Sequence, residues 1–299
     1  MSPYLEVARQ GKNEWWRYLL SLALILLMWF MVGSLPVVML ALYAGLDGNP
    51  QTGGVQNPLA GLDPLVVFVA SMLTFVPLFL TTLFVVRFIH QRPVRTLITA
   101  AARIRWSRMA ASFGVWLALG AVLSIVEELL YPGRYELTFQ PGPFLAALLP
   151  TLILIPIQTS AEELFIRGYL MQGLGQIIKP GWIVAVITAG AFALLHFSNP
   201  EVGVSFPLLM AFYFAFGLFA AIVTLLDGGL ELALGIHFAN NFFTAVFANY
   251  SGSAIESPSI FTSAVLDPVY GLVAPLVAMA IFCAVFFILK KSPVPAEVD

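Results

Sequence analysis

The sequence predicts an all-α protein, a polytopic membrane bundle of about eight transmembrane helices enclosing a polar cavity. Three observations carry that prediction. Of 299 residues, 60% are hydrophobic and only 10% charged, where a soluble domain carries about 25% charged residues. The mean hydropathy is +0.92. Apolar runs of near-span length recur along the chain, and none alternates strictly with period two, which argues against a β-barrel.

The runs follow in order. Tyr18–Tyr43 is longer than the apolar region of a signal peptide, and no A-x-A-like cleavage site follows it, so it reads as a retained span. Trp15, Trp16 and Tyr18 stand where an interfacial aromatic belt would lie. Pro64–Ile89, Met109–Ile125 and Pro143–Ile166 come next, then Trp182–His196, the shortest. Pro207–Leu226, Leu232–Asn249 and Tyr270–Leu289 complete the eight. Most approach the ~20 residues needed to cross a ~30 Å core. The longest connections are Ala44–Asp63, Arg87–Arg108 and Ser251–Asp267, and no soluble domain, repeat or low-complexity segment interrupts them. Residues 1–299 therefore read as a single integral membrane domain.

The basic residues set an orientation. With eight spans and the N-terminus inside, Arg9, Lys12, Arg17, Arg87, Arg92, Arg95, Arg103, Arg105, Arg108, Lys179, Lys290 and Lys291 all fall on the cytoplasmic side. Only Arg134 falls outside, and Arg167 lies within a span. The positive-inside rule expects this asymmetry. It predicts a multi-pass protein with both termini cytoplasmic. The basic loop Arg87–Arg108 reads as a topological stop signal, or as a surface helix on anionic lipid. The expected partners are the bilayer and a membrane-associated peptide or protein substrate, with no nucleic acid. Cys283 is the one cysteine, so no intrachain disulfide forms.

Against this apolar background stands Glu162-Glu163-Leu164-Phe165-Ile166-Arg167. Each ionisable group at membrane depth costs about 2.5–3.5 kcal/mol on insertion scales and marks a functional site by default. Glu163 and Arg167 are four residues apart and share a helix face, so they pair; Glu162 is turned ~100° away and stays free for chemistry. Of three histidines, His90 ends a span in the basic loop and reads as structural. His196 lies in the fifth span and His237 in the seventh, with Asn241 one turn after His237 and Phe192 one turn before His196. By helical rise His196 is ~21 Å from Trp182 and His237 ~9 Å from Glu231, values that bracket the midplane. Glu162 is ~28 Å from Pro143 by the same rise. A tilt, a break near Pro156 or an entry above the membrane would reconcile that depth. The cavity is expected to open toward the cytoplasm.

Glu162 with a histidine can activate water, and a histidine beside an asparagine can stabilise an oxyanion. Together these describe amide hydrolysis with no Ser or Cys nucleophile. The same groups also resemble a His₂Glu zinc set made of Glu162, His196 and His237. No H-E-x-x-H motif is present. The expectation is no cofactor, with zinc as the alternative.

Glu162-Glu163-x-x-x-Arg167, Phe192-x-x-x-His196 and His237-x-x-x-Asn241, in this order on successive membrane helices, resemble the signature of the CPBP family. This is the Abi, or type II CAAX prenyl protease, group of intramembrane endopeptidases. The motif-bearing core covers about 143–250. The resemblance implies a helical bundle with a membrane cavity and endopeptidase activity. It implies that Glu162 and His196 activate water, that His237 and Asn241 form the oxyanion site, and that Glu163 and Arg167 organise the catalytic helix. Eukaryotic relatives cut the last three residues from prenylated proteins, and many bacterial relatives are linked to bacteriocin self-immunity or peptide maturation. The compact chain looks prokaryotic, which places it in the plasma membrane.

Two other readings use the same residues. One is a non-catalytic peptide-binding immunity or scaffold protein. The other is a proton-coupled transporter with a Glu162–His196 relay, against which stands the lack of a repeat between the halves. Glu127-Glu128 is expected to be a solvated loop pair, and Glu201 an outer-loop charge. Asp227-Gly228-Gly229 reads as a tight turn, and Glu231 as a helix-start charge or a cavity residue.

Overall fold

The computed structural model describes residues 2–47, 52–53 and 58–289. Lys290, Lys291 and part of the Ala44–Asp63 loop lie outside the described residues. Among the described residues the main helices follow the predicted runs, though fewer than eight have the length and apolarity of a span. They are α1 (Trp15–Leu46), α2 (Pro64–Ile89), α3 (Trp106–Leu130), α4 (Pro141–Leu174), α5 (Gly181–Leu195), α6 (Phe206–Asp227), α7 (Glu231–Val246) and α8 (Pro268–Leu289). Among the described residues, six are long and apolar enough to cross a membrane. The two shorter ones, α5 with 15 residues and α7 with 16, do not reach span length.

The shortness of α7 has a physical reason. Protein, not lipid, surrounds it: Leu232, Ala233, Ile236 and Ala239 are fully buried. A helix inside the bundle need not match the bilayer thickness. It packs chiefly on α3 and α4. The approach to α3 is so close at Gly235 that a Cβ there would meet Ser112 Oγ and the Met109 carbonyl oxygen.

Helix α4 resolves the depth of the acidic motif. It runs through Pro150 and Pro156 without a break. After Glu163 it loosens into a π-helical turn, Leu164–Leu170, and then resumes α-helical geometry to Leu174. Its 34 residues make it about 51 Å long at 1.5 Å per residue, well beyond the ~30 Å core. Glu162 therefore sits inside the bundle rather than at its rim.

One end of the bundle is a basic face. Here the Lys12 amide bonds the His90 carbonyl, Leu230 N bonds Ile98 O, and Thr99 bridges Gly229. The Arg87–Arg108 loop is not a surface helix. Arg92 is buried and donates to Gln172 Oε1 at 2.7 Å. Arg105 bonds Asp227 at 2.8 Å and Glu231 at 2.7 Å. Asp227 and Glu231 thus clamp α3 to the α6–α7 turn. His90 is walled in on this face, with Nδ1 2.8 Å from Lys12 O and Nε2 3.0 Å from Tyr169 Oη. Since a carbonyl only accepts, Nδ1 carries the proton and Nε2 accepts from the tyrosine.

The opposite end is a strand face. Three-residue strands β1 (Tyr135–Leu137), β2 (Ala248–Tyr250) and β3 (Phe261–Ser263) form a sheet in the order β1-β3-β2. β3 is antiparallel to β1 and parallel to β2. The sheet gathers the long loop after α7 onto the α3–α4 connection. Glu127 belongs to this end and is buried, not solvated: Tyr135 Oη donates to it at 2.6 Å and Arg134 lies 3.6 Å away.

Candidate active site

The site starts from a fully buried ion pair on α4. Arg167 Nη1 donates to Glu163 Oε1 at 2.8 Å, and both side chains are 0% exposed. The guanidinium lies 4.3 Å over the Phe192 ring, and Nη2 reaches Gly217 O at 3.3 Å. Such an arrangement compensates a charge that lipid or a dry interior would otherwise reject. The spacing argument from sequence and the structure agree on this pair.

Glu163 has a second partner. His237 Nδ1 on α7 lies 2.8 Å from the same Oε1. A carboxylate accepts, so Nδ1 carries a hydrogen and Nε2 faces the cavity. That Nε2 lies 3.5 Å from Glu162 Oε2. His196 is held the same way at the end of α5. Its Nδ1 donates to Phe192 O at 2.8 Å, leaving Nε2 at 4.0 Å from Glu162 Oε2. The His196 ring is sandwiched by Phe192, with centroids 4.4 Å apart, and Tyr213, at 4.3 Å. Glu162 is 6% exposed, and its Oε2 makes no hydrogen bond. Two imidazole Nε2 atoms and one unpartnered carboxylate oxygen thus face a common point.

Asn241 completes the six residues singled out from sequence. Its Nδ2 donates to Gln158 Oε1 at 2.9 Å, and its Oδ1 accepts from Asn240 at 3.1 Å. Trp116 Nε1 lies 3.4 Å from Asn240 Oδ1. Glu162, His196, His237 and Asn241 all line one cavity of about 470 Å³. Glu163 and Arg167 stand behind it.

Several lining residues were missed in the sequence. Gln158 was legible: it is one turn before Glu162, a polar side chain on the same helix face. Tyr213 gave no signal among the aromatic residues of α6. Glu201 is not an outer-loop charge: it is 5% exposed and lines the cavity. It accepts from Tyr213 Oη, from Asn199 Nδ2 at 3.2 Å and from Ala254 N at 3.1 Å. Glu231 does not line the cavity among the described residues.

The cavity also lies at the unexpected end. Its walls include Asn199, Glu201, Tyr250 and Ser253 at the strand face, and none of the basic loop 87–108. The expectation of an opening toward the basic side is therefore corrected. His196 ends its helix and Asn241 lies past the middle of its own, so both point their half of the site away from the basic face.

The donor types at Glu162, His196 and His237 suit zinc, but their spacing is loose. Ligands at 2.0–2.1 Å in a tetrahedron lie about 3.4 Å apart, against 3.5 and 4.0 Å here. Among the described residues no group of three His, Cys, Asp or Glu is spaced to hold a metal ion.

Comparison with known proteins adds two findings. A family model described as Rce1-like, type II CAAX prenyl endopeptidase, matches residues 141–243. A Bacillus subtilis (strain 168) protein described as uncharacterized protein YyaK is 32% identical over 255 residues, which cover 85% of each chain. No solved structure matches.

Proposed function

The chain belongs to the Rce1-like, type II CAAX prenyl endopeptidase (CPBP) family of membrane proteases, and from that premise we propose that Glu162 activates water to cut a membrane-associated peptide. One observation carries the reading. The buried Glu162 Oε2 has no hydrogen-bond partner and faces the Nε2 atoms of His237 and His196 at 3.5 and 4.0 Å.

The chemistry follows from who holds which proton. Water between Glu162 and His196 gives a proton to the carboxylate as its oxygen attacks the peptide carbonyl carbon. The carbonyl oxygen becomes an oxyanion. Asn241 Nδ2 turns from Gln158 to donate to it. His237 donates only when protonated at Nε2, and Glu163 stabilises that imidazolium through Nδ1. Protonated Glu162 then hands its proton to the amide nitrogen as the C–N bond breaks. One water is consumed, and a carboxylic acid and an amine leave. This reading differs from a simple His237–Asn241 donor pair, because neutral His237 has already spent its proton on Glu163.

A metal-assisted variant rests on the same geometry. Both imidazoles are anchored through Nδ1 with Nε2 free, as metal-bound histidines commonly are. Glu162, His196 and His237 would have to draw closer than their present 3.5 and 4.0 Å spacings to hold zinc, which when bound would polarise the carbonyl. The basic face supports a cytoplasmic placement of the ends of the chain.

The test uses detergent-purified protein and a library of prenylated and amphipathic peptides. Wild type should cut, and Glu162→Gln should not. Equal cutting by Glu162→Gln removes Glu162 as the base. Loss of cutting with a chelator, restored by zinc, favours the metal variant. Peptide binding without cutting by wild type favours the non-catalytic binder.

A further inference from the structure

We infer that the cavity selects a cationic segment of its substrate, with Glu201 as the determinant of that choice; this rests on the peptidase reading above. The lining holds two carboxylates, Glu162 and Glu201, and no Lys or Arg among the described residues. Arg167 is committed to Glu163 and does not reach the cavity. Glu162 Oε2 is buried, unpartnered and part of the cavity wall. Glu201 is 5% exposed, and each group that bonds it is neutral: the hydroxyl of Tyr213, the amide of Asn199 and the backbone of Ala254. Its carboxyl group meets dipoles but no cation. A free carboxyl terminus entering this cavity would meet two carboxyl side chains and no cationic one among the described residues.

One acidic residue stands beside the lining, while Glu127 and Asp267 are matched by Arg134 at 3.6 and 3.3 Å. Glu256 is exposed next to the lining residue Ile255. A cleft lined by one sign of charge concentrates ligands of the other sign. Phe212, Phe216 and Leu209 supply the apolar part of the wall. The ligand that fits both is an amphipathic peptide bearing Lys or Arg.

Glu201 also connects to the chemistry. It fixes Tyr213, whose ring stacks on His196, whose Nε2 faces Glu162. A cation seated on Glu201 is thus two side chains from the reacting carboxylate.

The probes are a Leu/Lys amphipathic peptide and its Leu/Gln and Leu/Glu counterparts of equal length. Binding is read on His196→Gln protein, which keeps both carboxylates, in nonionic detergent; cutting is read on wild type. The Leu/Lys peptide should bind about tenfold more tightly than Leu/Gln, and Leu/Glu more weakly than either. Glu201→Gln should shrink the Lys-to-Gln ratio several-fold. Glu256→Gln, at an exposed position, and added salt should each reduce it without depending on the buried network. Equal affinity for the three peptides, or a preference for Leu/Glu, overturns the inference. So does a ratio that neither Glu201→Gln, Glu256→Gln nor salt moves. Charge-selective binding without cutting sinks the peptidase reading and leaves this one standing. Cutting with no charge preference does the reverse.

Discussion

His237 Nδ1 and Arg167 Nη1 converge on a single oxygen, Glu163 Oε1, each at 2.8 Å. One carboxylate on α4 therefore both neutralises a buried guanidinium and sets which nitrogen of a histidine on α7 faces the cavity.

Glu163→Gln should for that reason lower kcat by about 10²-fold or more, because partners that orient a working imidazole are worth that much. The amide cannot accept from both neighbours at full strength. Steady-state kinetics on the purified variant, with its melting temperature as a control, check this. Near-wild-type kcat would remove Glu163 from the mechanism.

Arg167→Ala should destabilise the bundle by about 3–5 kcal/mol, since it leaves a carboxylate buried without its cation. The double change Glu163→Leu with Arg167→Met should regain much of that stability while staying inactive. Denaturation in detergent and the cleavage assay separate the two effects. A double variant no more stable than Arg167→Ala would contradict the pairing.

Asn241→Ala should cost about 10²–10³-fold in kcat with little change in KM, the pattern expected when an oxyanion donor is lost. Gln158→Ala should cost far less, since Gln158 only holds the Asn241 amide before the reaction. Equal losses in both variants would point to packing instead.

Gly235→Ala should destabilise by about 1–3 kcal/mol through overpacking. Its methyl would meet Ser112 Oγ and the Met109 carbonyl, and part α7 from α3. Because α7 carries His237, activity should fall along with thermal stability. Unchanged melting would show that the helices can slide apart freely.

His90 gives a pH dependence outside the site. Burial foremost, with Arg92 nearby, holds its pKa below 6.5. The unfolded chain therefore binds the proton more readily. Stability should be full above the unfolded pKa, near 6.5, and should fall as pH drops through that value toward the lowered folded one. His90→Asn should flatten this part of the pH–stability curve. A wild-type curve with no slope there would contradict the burial argument.

The helical membrane bundle and the motif residues were legible because lipid makes charge conspicuous. Glu162, Glu163 and Arg167 stand out in an apolar run, and a four-residue spacing says which of them pair. Glu201 and Glu127 were not legible, because a carboxylate beside Pro200 in a connection, or near the end of a helix, looks solvated. Only the folding-back of residues 248–263 into the sheet shows that these connections are covered. Tyr213 was hidden for the opposite reason. In a chain with 25 phenylalanines and 9 tyrosines, one ring that stacks on a histidine has no local signature. The end at which the cavity lies depended on the same loops.

The shortness of α7 bears on how the protein is made. A 16-residue helix carrying His237, Asn240 and Asn241 is too short and too polar to partition into a bilayer by itself. It enters only against α3 and α4, which are synthesised before it. The two halves of the site, Glu162 on α4 and His237 on α7, are then brought together by the last stages of bundle assembly. The contact between the two histidine-bearing helices and Glu162 is thus complete only once α7 has packed on α4.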